Sequence, residues 1–186
     1  MSISLEAAQR VLRAQPFSEL LGAEVVRFSE NMVELHVPIL EHLKQQYGFV
    51  HGGVISYAAD NALTFAGGYA LGPSVVTSEF KINYVRPAVG DVLIARASVV
   101  HAGAMQAVCR CDVSSLGRDG EVLCAVAQGT IAAISHRKGA MPAVVRHDRP
   151  DRSGAVARNS RDETQAPQSV VDRVSWFRNQ WTSDRA

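Results

Sequence analysis

Apolar and polar positions change their period several times along this chain, and each change marks an element. Residues 4–14 place Leu5, Ala8 and Leu12 at helical spacing, which predicts a short helix. Pro16 should end it, because the residue before a proline is driven out of helical backbone, and Phe17 to Gly22 then reads as a turn. Two extended runs follow at 23–29 and 32–38, joined at Glu30-Asn31. The second alternates Val33, Leu35 and Val37 with Glu34 and His36, the period of two that a strand with one wet face requires. A hairpin is expected here, followed by a connecting segment over 39–50 that turns at Gly48.

From Gly52 the alternation disappears. The stretch Val54 to Leu71 contains one ionisable acid, Asp60, among alanines, glycines and apolar side chains, the composition of a helix buried on all sides. Gly72-Pro73 supplies the stop. Four strand-like runs come next, at 74–85, 92–101, 105–114 and 122–134, with turn residues at Gly103-Ala104 and at Gly117-Arg118-Asp119-Gly120. No helical pattern interrupts the last three, so they should lie antiparallel. A sheet of this size must cover one face, and the 52–71 helix is the element apolar enough to do it. The predicted fold is α+β, a curved antiparallel sheet wrapped round one long central helix.

The chain has 186 residues, 47% of them hydrophobic, which suits one domain with an appendage. Residues 1–136 hold 9 Lys and Arg against 12 Asp and Glu, and residues 137–186 hold 10 against 6, so the net +1 divides into an acidic body and a basic tail. The expected organisation is an N-terminal helix (1–15), a main domain (16–136), a disordered basic linker (137–168) rich in Arg, Asp, Ser, Gly and Pro, and a short amphipathic helix (169–186). That last helix carries Val170, Val174, Phe177 and Trp181 on one side, suited to docking on this or a neighbouring subunit. Acids interleave with the tail's cations, so no nucleic-acid partner is implied. Cys109, Cys111 and Cys124 lack the spacing of a zinc site and read as small buried hydrophobes in a reducing compartment. No signal-peptide core or membrane span is expected, and the chain reads as cytoplasmic.

A carboxylate inside an apolar helix costs several kcal/mol unless it is paired or used, which singles out Asp60. The helix start singles out a second group. His51-Gly52-Gly53 leaves backbone N–H groups at the positive end of the helix dipole, and at the glycines no side chain blocks the approach of a ligand oxygen. The same glycines also suit tight packing of strand against helix. Asp60 follows Gly52 by eight residues, roughly 12 Å along the axis at about 1.5 Å per residue. One chain does not easily bring both onto one carbonyl, whereas a two-fold dimer with antiparallel helices sets Asp60 of one copy beside Gly52 of the other. His51, at the helix entry, is suited to fixing the loop through backbone hydrogen bonds, with direct acid/base work as the alternative.

The string Gly48-x-x-His51-Gly52-Gly53-x6-Asp60-Asn61-Ala62, with Leu21-Gly22 and Pro38 before it and Tyr84-Val85-Arg86-Pro87-Ala88-x-Gly90-Asp91 after it, resembles the hotdog-fold acyl-CoA thioesterases, in particular the phenylacetate-degradation (PaaI-like) group, over about residues 16–134. The resemblance implies that Asp60 is general base or nucleophile, that the Gly52 N–H polarises the thioester carbonyl, and that Thr77 supplies a hydroxyl that orients water. Many members have asparagine six residues before the motif histidine; Gln45 stands here, keeping the amide and adding a methylene, in a supporting role. Gly53, Phe49 and Tyr57 would line the substrate site, with Tyr47, Ala58 and Phe65 as further candidates. Arg86 and Lys81, then Arg96, would meet coenzyme A phosphates. The resemblance further implies a medium-chain or aromatic acyl-CoA substrate, no metal or separate cofactor, and a homodimer or homotetramer. Two rival readings are a hotdog hydratase, disfavoured because His51 and Asp60 lie in the wrong order and nine apart, and a non-catalytic acyl-CoA-binding protein.

Overall fold

A computed structural model describes residues 4–134; the predicted linker and C-terminal helix lie outside them. The chain begins with helix α1 (Leu5–Arg13), whose N-cap Ser4 accepts the Ala7 N–H and whose apolar side buries Ala8 and Leu12. The helix stops before Pro16 as expected, but the segment after it, read as a turn, is helical. Pro16 starts a second helix, α2 (Pro16–Leu20), at the N-terminal position where a missing N–H costs nothing and a fixed φ helps. Strands β1 (Glu24–Phe28) and β2 (Val33–Pro38) form the predicted hairpin, with β2 burying every second residue.

Helix α3 (Gly52–Leu71) matches its predicted span and ends at Gly72, whose φ of 102° belongs to glycine. It is followed by β3 (Val75–Tyr84), β4 (Val92–Ala102), β5 (Gln106–Gly117) and β6 (Gly120–Ala133). All six strands make one antiparallel sheet in the order β1-β2-β4-β5-β6-β3. The sheet curves round α3, which buries Ile55, Ala58, Ala59, Ala62, Leu63, Ala66, Gly67 and Gly68 against it. Small residues on this face let the backbones approach closely. A Cβ on Gly67 would fall 2.5 Å from Ile131 Cβ, well inside van der Waals contact. The three cysteines are free and buried, and burial pushes the thiols of Cys109 and Cys111 up to about 11 and about 12.

Two features of the sheet position the site. Strand β3 is an edge strand of ten residues. It also carries a bulge: Thr77 pairs with Ile131 and Glu79 with Thr130, which leaves Ser78 as the extra residue. The bulge reverses the alternation, so that Thr77 before it and Phe80 and Ile82 after it are all turned to the buried side, while Ser78, Glu79, Lys81 and Asn83 are exposed.

Candidate active site

The first turn of α3 has four backbone N–H groups without partners inside the helix. His51 caps two of its successors through its carbonyl, which accepts from Val54 at 2.9 Å and Ile55 at 3.4 Å, and its ring Nδ1 accepts from Gly53 at 3.0 Å. A ring nitrogen that accepts is unprotonated, so Nδ1 serves the cap. The Gly52 N–H is then the one first-turn amide without a partner among the described residues. Glycine at 53 has a packing reason, since a Cβ there would come within 3.1 Å of the His51 ring. Position 52 has no such reason, because a Cβ would meet the Tyr84 ring at an ordinary 3.6–3.7 Å.

Asp60 is half-buried two turns further along. The Thr77 hydroxyl donates to its Oδ1 at 2.7 Å. Thr64, one turn beyond Asp60, lies 2.7 Å from Thr77 Oγ1 and 2.8 Å from the Asp60 carbonyl oxygen. With the Thr77 proton committed to the carboxylate, the one Thr64 proton is shared between two acceptors, the Asp60 carbonyl oxygen and Thr77 Oγ1. The predicted hydroxyl on β3 is therefore in place, but it is aimed at the carboxylate. Asp60 Oδ2 receives no hydrogen bond from the described residues.

Two clefts meet at Gly53. One, of about 550 Å³, is lined by Gln45, Phe49, Gly52, Gly53 and Arg86 among others; the other, of about 370 Å³, by Gly53, Ser56, Tyr57, Asp60, Asn61 and neighbours. Within one chain the amide and the carboxylate open into different clefts. Gln45 is held by its own backbone, its N–H donating to Phe49 O and its carbonyl accepting from Gly48. Arg86 is exposed at the rim, its guanidinium bonded to Leu123 O at 3.3 Å. Tyr57 packs edge-on against Phe17, and its buried hydroxyl is held above its usual pKa by desolvation, with Ser18 the one group acting against that.

Other expected positions fall elsewhere. Lys81 lines a groove on the outer face of the sheet with Glu79, Asn83, Arg110 and Gln128. It shares its sequence parity with Thr77, and the bulge between them turns it away from the cleft. Arg96 is also on the outer face, bound to Glu34 at 2.8 Å and to Glu121. Ala58 is fully buried in the core, and Tyr47 is 71% exposed. Two participants were not anticipated. Thr64 is signalled only by its spacing of four from Asp60 on one helix. Tyr84 closes β3 over the helix start: its hydroxyl donates to Gly52 O at 3.1 Å and accepts from Ser56 Oγ at 2.6 Å.

A curved antiparallel sheet wrapped round one long buried helix is the hotdog fold. Comparison with known proteins gives the family. The Thioesterase superfamily profile matches residues 47–122. A thioesterase family protein from Silicibacter pomeroyi superposes with TM-score 0.66 at 30% identity, covering 70% of this chain and 98% of that one. A thioesterase from Haemophilus influenzae superposes with TM-score 0.65 at 25% identity, covering 74% and 96%. The 1,4-dihydroxy-2-naphthoyl-CoA hydrolase of Listeria monocytogenes is 23% identical over 122 residues, 64% of this chain and 97% of that protein. This chain belongs to the thioesterase superfamily, and it is a thioester hydrolase of the hotdog fold. Among the described residues no helix is long and apolar enough to cross a membrane.

Proposed function

We propose that the protein hydrolyses acyl-CoA thioesters at a site shared between two copies of the chain, with Asp60 as general base and the Gly52 N–H of the second copy as oxyanion donor. The observation that carries this reading is the unpartnered Gly52 amide, left open while its neighbours in the first turn are satisfied. Asp60 Oδ2 removes a proton from water as the oxygen attacks the thioester carbonyl. The Gly52 N–H then meets the oxyanion as charge develops, and collapse of the tetrahedral intermediate expels the coenzyme A thiolate, which regains the proton. Such a donor contributes about 3 kcal/mol in related sites. Thr77 and Thr64 hold the carboxylate in one orientation, and His51 holds the loop. Arg86 at the rim suits a coenzyme A phosphate.

Two further observations support a dimer. The base and the donor open into different clefts in one chain, and β3 presents a ten-residue free edge that a second β3 can pair with antiparallel. The 1,4-dihydroxy-2-naphthoyl-CoA hydrolase among the relatives favours a coenzyme A ester as substrate.

The test is turnover of an acyl-CoA panel. Wild type should release free thiol, and Asp60→Asn should lose about 10²- to 10⁴-fold in kcat with its fold and assembly intact. Tight acyl-CoA binding without turnover by wild type would instead establish a binding protein.

A further inference from the structure

Strand β3 reaches the central helix at two places. Near its start Thr77 donates to Asp60 Oδ1 at 2.7 Å. At its end the Tyr84 hydroxyl donates to Gly52 O at 3.1 Å, and because its one proton is spent there, the 2.6 Å contact with Ser56 Oγ has the serine as donor. Residues seven apart on a regular strand point to opposite faces. The extra residue at Ser78 removes that conflict, so Thr77 and Tyr84 both turn to α3.

Gly52 has a particular need of such a contact. Its amide is open to a ligand because no side chain stands beside it, yet a residue without a Cβ is the least constrained by its own sterics, and the first turn is where a helix frays. The Tyr84 ring stands 3.6–3.7 Å from the point that a Cβ of Gly52 would occupy, so it packs against the glycine from the strand side. The hydroxyl on the same ring holds the Gly52 carbonyl, and Ser56, one turn further along α3, holds that hydroxyl. Ring and hydroxyl together restrain a residue that has no side chain of its own to do so.

We infer that Tyr84 is a positioning residue for the Gly52 amide, doing for the oxyanion donor what Thr77 does for the base, with Ser56 as its support. The inference rests on the thioesterase reading above and adds to it the group that aims the donor. Tyr84 bonds the carbonyl of Gly52, and the working N–H belongs to the same residue, so a drift of that backbone carries the donor away from the developing oxyanion. An interaction realised only in the transition state governs kcat and leaves KM alone. Strand β3 is also the free edge offered to a second copy, so the strand that takes the partner holds both groups of its own chain.

The experiment measures kcat and KM for hexanoyl-CoA, dodecanoyl-CoA and benzoyl-CoA in Tyr84→Phe, which keeps the ring and removes the hydroxyl. On the ester that wild type hydrolyses fastest, kcat should fall about five- to tenfold with KM unchanged. Ser56→Ala keeps the Tyr84–Gly52 bond and should lose about twofold in kcat, an independent arm if the phenylalanine variant does not fold. The decisive arm combines Tyr84→Phe with Gly52→Val. With the amide already obstructed, loss of the hydroxyl should cost less than about twofold more, whereas a role in general folding or in substrate contact would make the two losses multiply. Multiplying losses, a wild-type kcat in Tyr84→Phe, or a rise in KM with kcat intact each overturn the inference and leave the thioesterase reading standing. Absence of turnover on all three esters by wild type overturns both.

Discussion

Asp60 lies within reach of one hydroxyl proton from β3, and that proton has no other use. Thr77 donates to Oδ1 at 2.7 Å, and Thr64, whose one proton is shared with the Asp60 carbonyl oxygen at 2.8 Å, packs its hydroxyl 2.7 Å from Thr77 Oγ1 and so braces that donor. A hydrogen bond to a charged group contributes about 1.5–3 kcal/mol, enough to fix which oxygen is left to face water. Thr77→Val keeps the volume and removes the donor. It should lower kcat about tenfold with KM little changed, whereas Thr64→Val, one bond further away, should cost less. Thr77→Ser should restore most of the activity. A rise in KM with kcat intact in Thr77→Val would place the hydroxyl in binding and not in positioning.

At the scale of elements, α3 was legible to the residue because a helix buried on all sides and closed by Gly72-Pro73 has no competing interpretation. The strand count and the β1–β2 hairpin were legible from alternation and turn residues. Residues 17–20 were misread as a turn because proline both ends one helix and begins another, and here it does both. The bulge at Ser78 left no mark that alternation reveals, and it is what separates Lys81 from Thr77. The same outer face holds a cluster in which Arg96 of β4 bridges Glu34 of β2, its cross-strand partner, and Glu121 of β6, with His36 also on Glu34 at 2.7 Å. Desolvation works to raise the Glu34 pKa, but the Arg96 and His36 hydrogen bonds prevail and hold it below the usual carboxylate range. The Arg96 hydrogen bond does the same for Glu121. Lowered folded-state values mean that this stability is complete above the unfolded carboxylate pKa near ~4.3 and is lost as pH falls through the folded values. Arg96→Met should therefore cost about 2 kcal/mol at pH 7. Thermal melts from pH 7 to pH 3 should show the gap between variant and wild type shrinking in acid; a gap that widens there would contradict the sign.

At the scale of the whole molecule, what matters is which copy supplies which group. Two defective variants decide it. Asp60→Asn lacks the base and keeps the amide; Gly52→Val keeps the base and obstructs the amide, and its Cβ meets Tyr84 at an ordinary contact distance of 3.6–3.7 Å. Alone, Gly52→Val should lose about 10²- to 10³-fold in kcat. Mixed in equal amounts and allowed to exchange, the two variants give dimers of which half are heterodimers. If Asp60 acts with the partner's amide, each heterodimer holds one site with both groups intact and one with neither, so activity should recover to about a quarter of wild type. If Asp60 acts with the amide of its own chain, every site in every dimer carries one defect and mixing recovers nothing. Exchange can be followed independently with a tag on one variant, so failure of the copies to mix is distinguishable from failure to complement. A mixture that exchanges fully and stays inactive would place the base and the donor on one chain and remove the mechanistic need for a dimer.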